Sequence, residues 1–314
     1  ACGTPVVSTP SKAIEEQFSG IVQVAKDADE ANVIIERLLT DEHYWEKTSH
    51  LGYREVMTKH TYAHRLVNIE KAIGIDNQRE EPLVSIITCT RRPEMIDRIV
   101  TNMTRQNHSN IELILVLQGF SQSQSEELIG KLKSVDSNIK RVTAMINDSE
   151  ETLGERFNKA AEKASGEYIA KMDDDDFYFA NYLKDMLIPF TFGDYGVVGK
   201  KELYMYLSGS DKLIKRFPGK KHQEADFVAG ATLVFKADVF HKYKFKAVNR
   251  GEDSELLNRL KADGIRVYAS DPFNFIVWRG NVEAHTWDAT DEYFLSGSQT
   301  EIVSDHLNKD LVAF

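Results

Sequence analysis

The sequence predicts an α/β protein with a mostly parallel sheet flanked by helices. Three observations lead there. Near-continuous apolar runs, "LVSIITCT", "IELILVLQ", "RVTAMIN" and "EYIAKM", follow one another along the chain. Segments with helical spacing separate them: about Arg92 to Gln106, "SEELIGKLKSV" and "LGERFNKAAEKAS". Strands covered on both faces lose the polar alternation of a half-solvated sheet, and parallel neighbours need a crossover helix between them. Polar clusters then stand just past the runs: Thr88 to Arg92 end the first, Gln118 the second, Asp173 to Asp176 the fourth. Open parallel sheets bind ligands at those strand ends, so the three clusters are expected to line one crevice.

From the N-terminus, the pattern is a short strand (Pro5 to Ser8), a helix-like "SKAIEEQF", a strand "GIVQVA" and long helical segments, with Asp27 or Asp29 as N-cap. Val33, Ile34, Arg37, Leu38 and Trp45 keep roughly helical spacing. The polar, turn-rich "GIDNQREEP" separates this small α/β-helical segment, residues 1–77, from the larger domain, residues 82–314. With 314 residues, 42% hydrophobic and 28% charged, the chain suits a globular protein of one large or two modest domains. A net charge of −10 and a pI near 5.5 argue against nucleic acid as a partner. Cys2 and Cys89 have no metal-ligand spacing, so a reducing, cytoplasmic setting is expected. No run approaches the roughly 18 apolar residues of a transmembrane helix, and the first residues lack a signal-peptide pattern. The chain opens inside "ACGTPVVST" without an initiator Met and is expected to be a piece of a longer protein.

The stretch "YIAKMDDDDFYF" puts four carboxylates, Asp173 to Asp176, directly behind an apolar run. Like charges side by side repel, more so where water is scarce, so such a cluster calls for a cation. An EF-hand loop starting at Asp173 would want Gly near Tyr178 and Glu near Lys184. An aspartyl-phosphatase motif would want Thr in place of Phe177. The plain alternative is a solvated acidic loop.

From about Pro82 to Trp287 the chain resembles the family 2 glycosyltransferases of the GT-A fold. "PLVSIITCTRRPEMIDRIVTNMTRQ" is similar to their first strand and helix, and "GERFNKAAEKASGEYIAKMDDDD" to the helix and strand that deliver their DXD motif. The resemblance implies that Asp173 reaches the nucleotide ribose and that Asp175 ligates Mn²⁺ or Mg²⁺, with Asp174 or Asp176 helping. A hard divalent cation would neutralise the diphosphate leaving group of a nucleotide-sugar. Asp253, in "NRGEDSELLNRLKADGIRVYAS", resembles the catalytic base of inverting members; alternatively Glu252 and Asp253 serve only the helix dipole. His285, in "FNFIVWRGNVEAHTW", resembles a metal-completing histidine or is an ordinary surface residue. Trp278, Arg279 and Trp287 frame the acceptor or the diphosphate, or pack. Gly230, Ala231 and Thr232 are expected near the sugar.

Two departures leave the donor open. Many relatives carry "DDGS" where this chain reads "VLQGFS", so Gln118 would meet the nucleotide base through its amide. The usual Arg-Asn pair reads Arg156-Phe157-Asn158, leaving Arg91, Arg92, Arg156 and Lys171 as candidates for the diphosphate. Thr88, Thr90, Arg91, Gln118, Arg156, Asp173 and Asp174 are thus the expected donor contacts. Residues 1 to about 66 resemble the C-terminal end of a GT-B glycosyltransferase of the CgeB-like group, a remnant without a complete second site. The expected activity is metal-dependent, inverting transfer of a sugar, from a UDP-sugar by preference, to a glycan, a cell-wall or spore-surface polymer, or a protein. The rivals are a nucleotidyltransferase, which would want a Gly-rich loop where "TCTRRPEM" has no Gly, and a binding module without turnover.

Overall fold

The computed structural model describes residues 1–75, 80–135, 137–280 and 289–314, and the chain divides into two compact units, Ala1–Arg79 and Glu80–Phe314. In the first unit β1 (Val7–Ser8) pairs in parallel with β2 (Gln23–Val24) around α1 (Lys12–Gln17). α2 (Ala28–Thr40) starts at Asp27, which accepts the Glu30 N–H at 2.9 Å; α3 (Glu42–Lys59) starts at Asp41, which accepts the Tyr44 N–H at 2.9 Å. These caps satisfy amide donors that have no partner inside a helix. α4 (Tyr62–Ala72) follows.

The second unit begins with the alternation read from the sequence: β3 (Val84–Thr90), α5 (Ile96–Thr104), β4 (Ile111–Gln118), α6 (Gln122–Ser134), β5 (Ile139–Asn147), α7 (Leu153–Ala161) and β6 (Tyr168–Lys171). It continues with β7 (Phe177–Tyr178), α8 (Tyr182–Leu187), β8 (Val197–Gly199), β9 (Leu203–Leu207), β10 (Lys212–Arg216), β11 (Gln223–Glu224), β12 (Val234–Lys236), α9 (Ala237–Tyr243), α10 (Glu252–Ala262), β13 (Val267–Ala269), β14 (Phe275–Arg279), α11 (Asp291–Leu295) and β15 (Thr300–Ser304).

The main sheet has the order β11-β13-β8-β12-β6-β3-β4-β5, parallel from β6 to β5, with β12 antiparallel between β6 and β8. Alternate residues of its central strands face two different cores. Ile86, Leu113, Leu115 and Leu117 pack with Ile99 and Met103 of α5 and Leu128 of α6. Ile87, Ile114 and Val116 pack with Phe157 of α7, Phe240 of α9 and Leu256, Leu257 and Leu260 of α10. Burial on both faces is why these strands read as unbroken apolar runs. A second sheet, β15-β10-β9-β14-β7, carries its own cluster around Tyr204, Phe273 and Ile276, and the sequence reading did not anticipate it. Its strands have two to five residues and come from distant parts of the chain, so no local alternation of strand and helix marks them.

Candidate active site

Strand register brings the polar clusters to one edge. Thr90 lies level with Leu117, Ile87 with Lys171, and Gln118 with Asn147, so the ends of β3, β4, β5 and β6 meet. The four aspartates leave β6 there, and each finds a different partner. Asp173 accepts from the Lys171 ammonium at 2.9 Å, and its backbone N–H donates to the Tyr178 hydroxyl at 2.8 Å. Asp174 is buried, accepting the Thr90 hydroxyl and two donors of the Arg92 guanidinium. Asp175 stands 2.9 Å from the same guanidinium, and its carbonyl accepts from Arg98. Asp176 is buried and accepts the Trp278 N–H at 2.9 Å, while its carbonyl takes the Asn102 amide at 2.8 Å.

Burial, outweighing Arg92, raises the Asp175 carboxyl to about 6, with Asp174 and Asp173 adding to the rise. Asp176 is raised well above the carboxylate range, by burial first and then by Asp175 and Asp173. Burial acts against the Arg92 charge, yet Asp174 and Asp175 hold the guanidinium more firmly protonated than an ordinary arginine. The tetrad therefore divides: Asp174 and Asp176 are fastened to protein donors, while Asp173 and Asp175 keep partly exposed side chains. Asp174, expected at the donor, is the internal counter-ion of Arg92. Replacing Arg92 with Met strands that buried carboxylate, which on the scale of broken buried ion pairs costs about 3 kcal/mol. Urea denaturation at pH 7 measures it; unchanged stability would disprove the role.

Two expected donor residues do not face the crevice as read. Thr88 is fully buried, and its hydroxyl donates to the Met172 carbonyl at 2.9 Å, fixing the exit of β6 to β3. Thr90 is buried against Asp174 and donates to it. Arg91 is exposed, and Gln118 is half-buried beside Asn147, whose own side-chain N–H group is buried without a hydrogen bond among the described residues. Arg156 is buried on α7, and its Nε makes no hydrogen bond among the described residues. Burial raises the Cys89 thiol, with Arg156 and Lys171 acting against the rise and Asp173 and Asp174 with it, so one thiol feels all four charges. His285 and Trp287 lie outside the described residues.

Asp253 sits in the first turn of α10, after Gly251, whose φ of +75° suits the turn into the helix. Its Oδ2 lies 3.7 Å from Lys171 Nζ and rests on Gly230: a Cβ there would fall 1.7 Å from it. Its Oδ1 is buried and makes no hydrogen bond among the described residues. A helix N-terminus favours a carboxylate. Burial nevertheless pushes Asp253 up to about 7, against Lys171, with Glu252 and Asp173 adding to the rise. Sequence reasoning missed Asn147 and Arg98; Arg98 lies over the rings of Phe177 and Trp278 at 4.4 and 4.8 Å. Neither lies in a motif that marks it.

The family model for glycosyl transferase family 2 matches residues 84–251, more than half of the chain and all of the strand ends just described. The chain belongs to glycosyl transferase family 2. A second family, described as glycosyl transferase-like, matches residues 1–71. This family 2 glycosyltransferase is 25% identical over 215 residues to an uncharacterized glycosyltransferase of Haemophilus influenzae, covering 58% of this chain and 84% of that protein. It is 31% identical over 109 residues to the putative glycosyltransferase EpsH of Bacillus subtilis, 34% of this chain and 30% of that protein. The structure of S. aureus TarS 1–349 in complex with UDP-GlcNAc has a TM-score of 0.50 at 14% identity, covering 68% of this chain and 63% of that one. The fold is thus the GT-A α/β fold that the sequence predicts. No helix among the described residues is long and apolar enough to cross a membrane.

Proposed function

We infer that this glycosyltransferase moves a sugar from a nucleoside diphosphate donor to a hydroxyl acceptor, with inversion. The observation that carries the reading is Asp253: a carboxylate raised to about 7, one oxygen buried without a hydrogen bond among the described residues, joined through Lys171 to Asp173 at the end of β6. A base poised near neutral pH removes the acceptor proton as that oxygen attacks the anomeric carbon opposite the leaving group. Asp173 meets the ribose, Gln118 and Asn147 the base, and Arg156 the diphosphate.

The donor set suits a hard divalent cation. Asp175 offers a carboxylate whose pKa is raised by burial, with Asp174 and Asp173 adding to the rise despite Arg92, and a divalent cation would favour its ionised form. Mn²⁺ or Mg²⁺ would be held by Asp175, with His285 as a further ligand, and would stabilise charge on the departing diphosphate. The UDP-GlcNAc of the TarS structure fits a UDP-sugar donor. A glycan, a cell-wall or spore-surface polymer, or a protein is the acceptor. Residues 1–77 form a CgeB-like segment, and residues 82–314 form the catalytic domain.

Calorimetric titration of UDP, GDP and dTDP, each with and without Mn²⁺, tests the donor site. One nucleotide is expected to bind tightly with metal only, and Asp175→Asn should weaken that binding by about tenfold or more. Equal affinity without metal would remove the cation from the reading.

A further inference from the structure

The strand Tyr168–Lys171 ends in a lysine only 2% exposed. A buried ammonium is costly unless paired and hydrogen-bonded. Lys171 meets that cost by donating to Asp173 at 2.9 Å and to the Gly230 carbonyl at 3.2 Å, with Asp253 Oδ2 3.7 Å away and the Phe157 ring at 4.8 Å. The Tyr178 hydroxyl closes the network, accepting from the Asp173 N–H and donating to the Ala231 carbonyl at 2.7 Å. The end of β6, the turn at Gly230–Thr232 and the start of α10 are thereby tied at one ammonium.

The two oxygens of Asp253 differ in consequence. Oδ2 faces the ammonium and is wedged on Gly230; Oδ1 is buried and accepts no hydrogen bond among the described residues. An unsatisfied buried acceptor is unfavourable, and a substrate hydroxyl can satisfy it. We propose that Lys171 is a positioning residue that clamps Asp253 Oδ2 to the donor-side Asp173 and so presents Oδ1 to the acceptor hydroxyl. In the step this serves, the hydroxyl proton passes to Oδ1 while its oxygen bonds to the anomeric carbon. The bond from that carbon to the diphosphate breaks, and its electron pair leaves with the nucleoside diphosphate. The role rests on Asp253 being the base.

The charges facing Asp253 are Lys171 from β6, Asp173 from the loop after it, and Glu252 on its own helix; the turn at Gly230 adds none. Carboxyl ¹³C titration of the full chain, with the Asp253 signal assigned by Asp253→Asn, needs no ligand. Lys171→Met is expected to raise the Asp253 midpoint by about one unit or more, the effect of removing an opposite charge at this range. Lys171→Arg should keep it within a few tenths of a unit. A folded Lys171→Met whose Asp253 titrates like the wild type overturns the clamp. Should Lys171→Met fail to fold, Lys171→Arg decides: an unmoved midpoint supports the clamp, and a midpoint raised as though the charge were gone refutes it. Sugar release to water, from whichever UDP-, GDP- or dTDP-sugar the wild type hydrolyses, separates the two readings. If Asp253→Asn keeps the wild-type rate, the base reading fails, whatever the titration gives.

Discussion

Asp253→Asn should lower the turnover number by about 10²- to 10⁴-fold, the range that a positioned general base contributes. Nucleotide affinity without acceptor should change little, because Asp173 keeps its 2.9 Å pairing with the Lys171 ammonium. The wild-type rate should show an acid limb near pH 7, since burial raises this carboxyl to about 7 and only the ionised form takes a proton. The rate therefore falls as pH drops through 7 and is flat above it. The residual rate of Asp253→Asn should lack that limb. Stability runs the other way. The folded chain binds this proton more tightly than the unfolded chain, so above the ordinary carboxylate range each rise in pH favours unfolding until the folded group has ionised. The Asn variant escapes that cost and should melt higher than the wild type at pH 8. A variant equally active, with the same limb and the same melting point, would place the base elsewhere.

The second large effect is expected at Gly230. An alanine methyl there would lie 1.7 Å from Asp253 Oδ2 and 2.4 Å from its Cγ, far inside contact distance. The carboxylate must swing away or the turn must move. Misplacing a reacting group by about an ångström can cost on the order of 10²-fold in rate. Gly230→Ala should therefore keep its fold and its nucleotide affinity while turnover falls by about that factor, as steady-state kinetics and calorimetry on one preparation would reveal. Full turnover would mean that the carboxylate tolerates displacement and is not held for chemistry.

The half of the fold that announced itself is the half in which buried strands alternate with helices. β3, β4 and β6 read as apolar runs because neither face meets water, and α5 and α7 as amphipathic because one face of each does not. The second sheet was silent: β7 has two residues, and its neighbour β14 comes about a hundred residues later. The site divides likewise. Residue types in order along the chain pointed to Asp173, Asp175 and Asp253. Which carboxylate is buried and which is partly exposed depends on Arg92 and Trp278 meeting Asp174 and Asp176 across 82 and 102 residues, and no local pattern encodes that. One signal was available: a lysine closing an apolar strand, as Lys171 does, implies a buried partner of opposite charge.

The order in which these charges leave the ribosome has a consequence for synthesis. Arg92, Arg98 and Lys171, the cations that shield the tetrad, are all made before Asp173, so the growing chain never presents four aspartates without their counter-charges. Asp253 arrives last, onto a turn and an ammonium already in place. A nascent chain halted just before Gly251 would lack both Asp253 and the Trp278 N–H that Asp176 accepts.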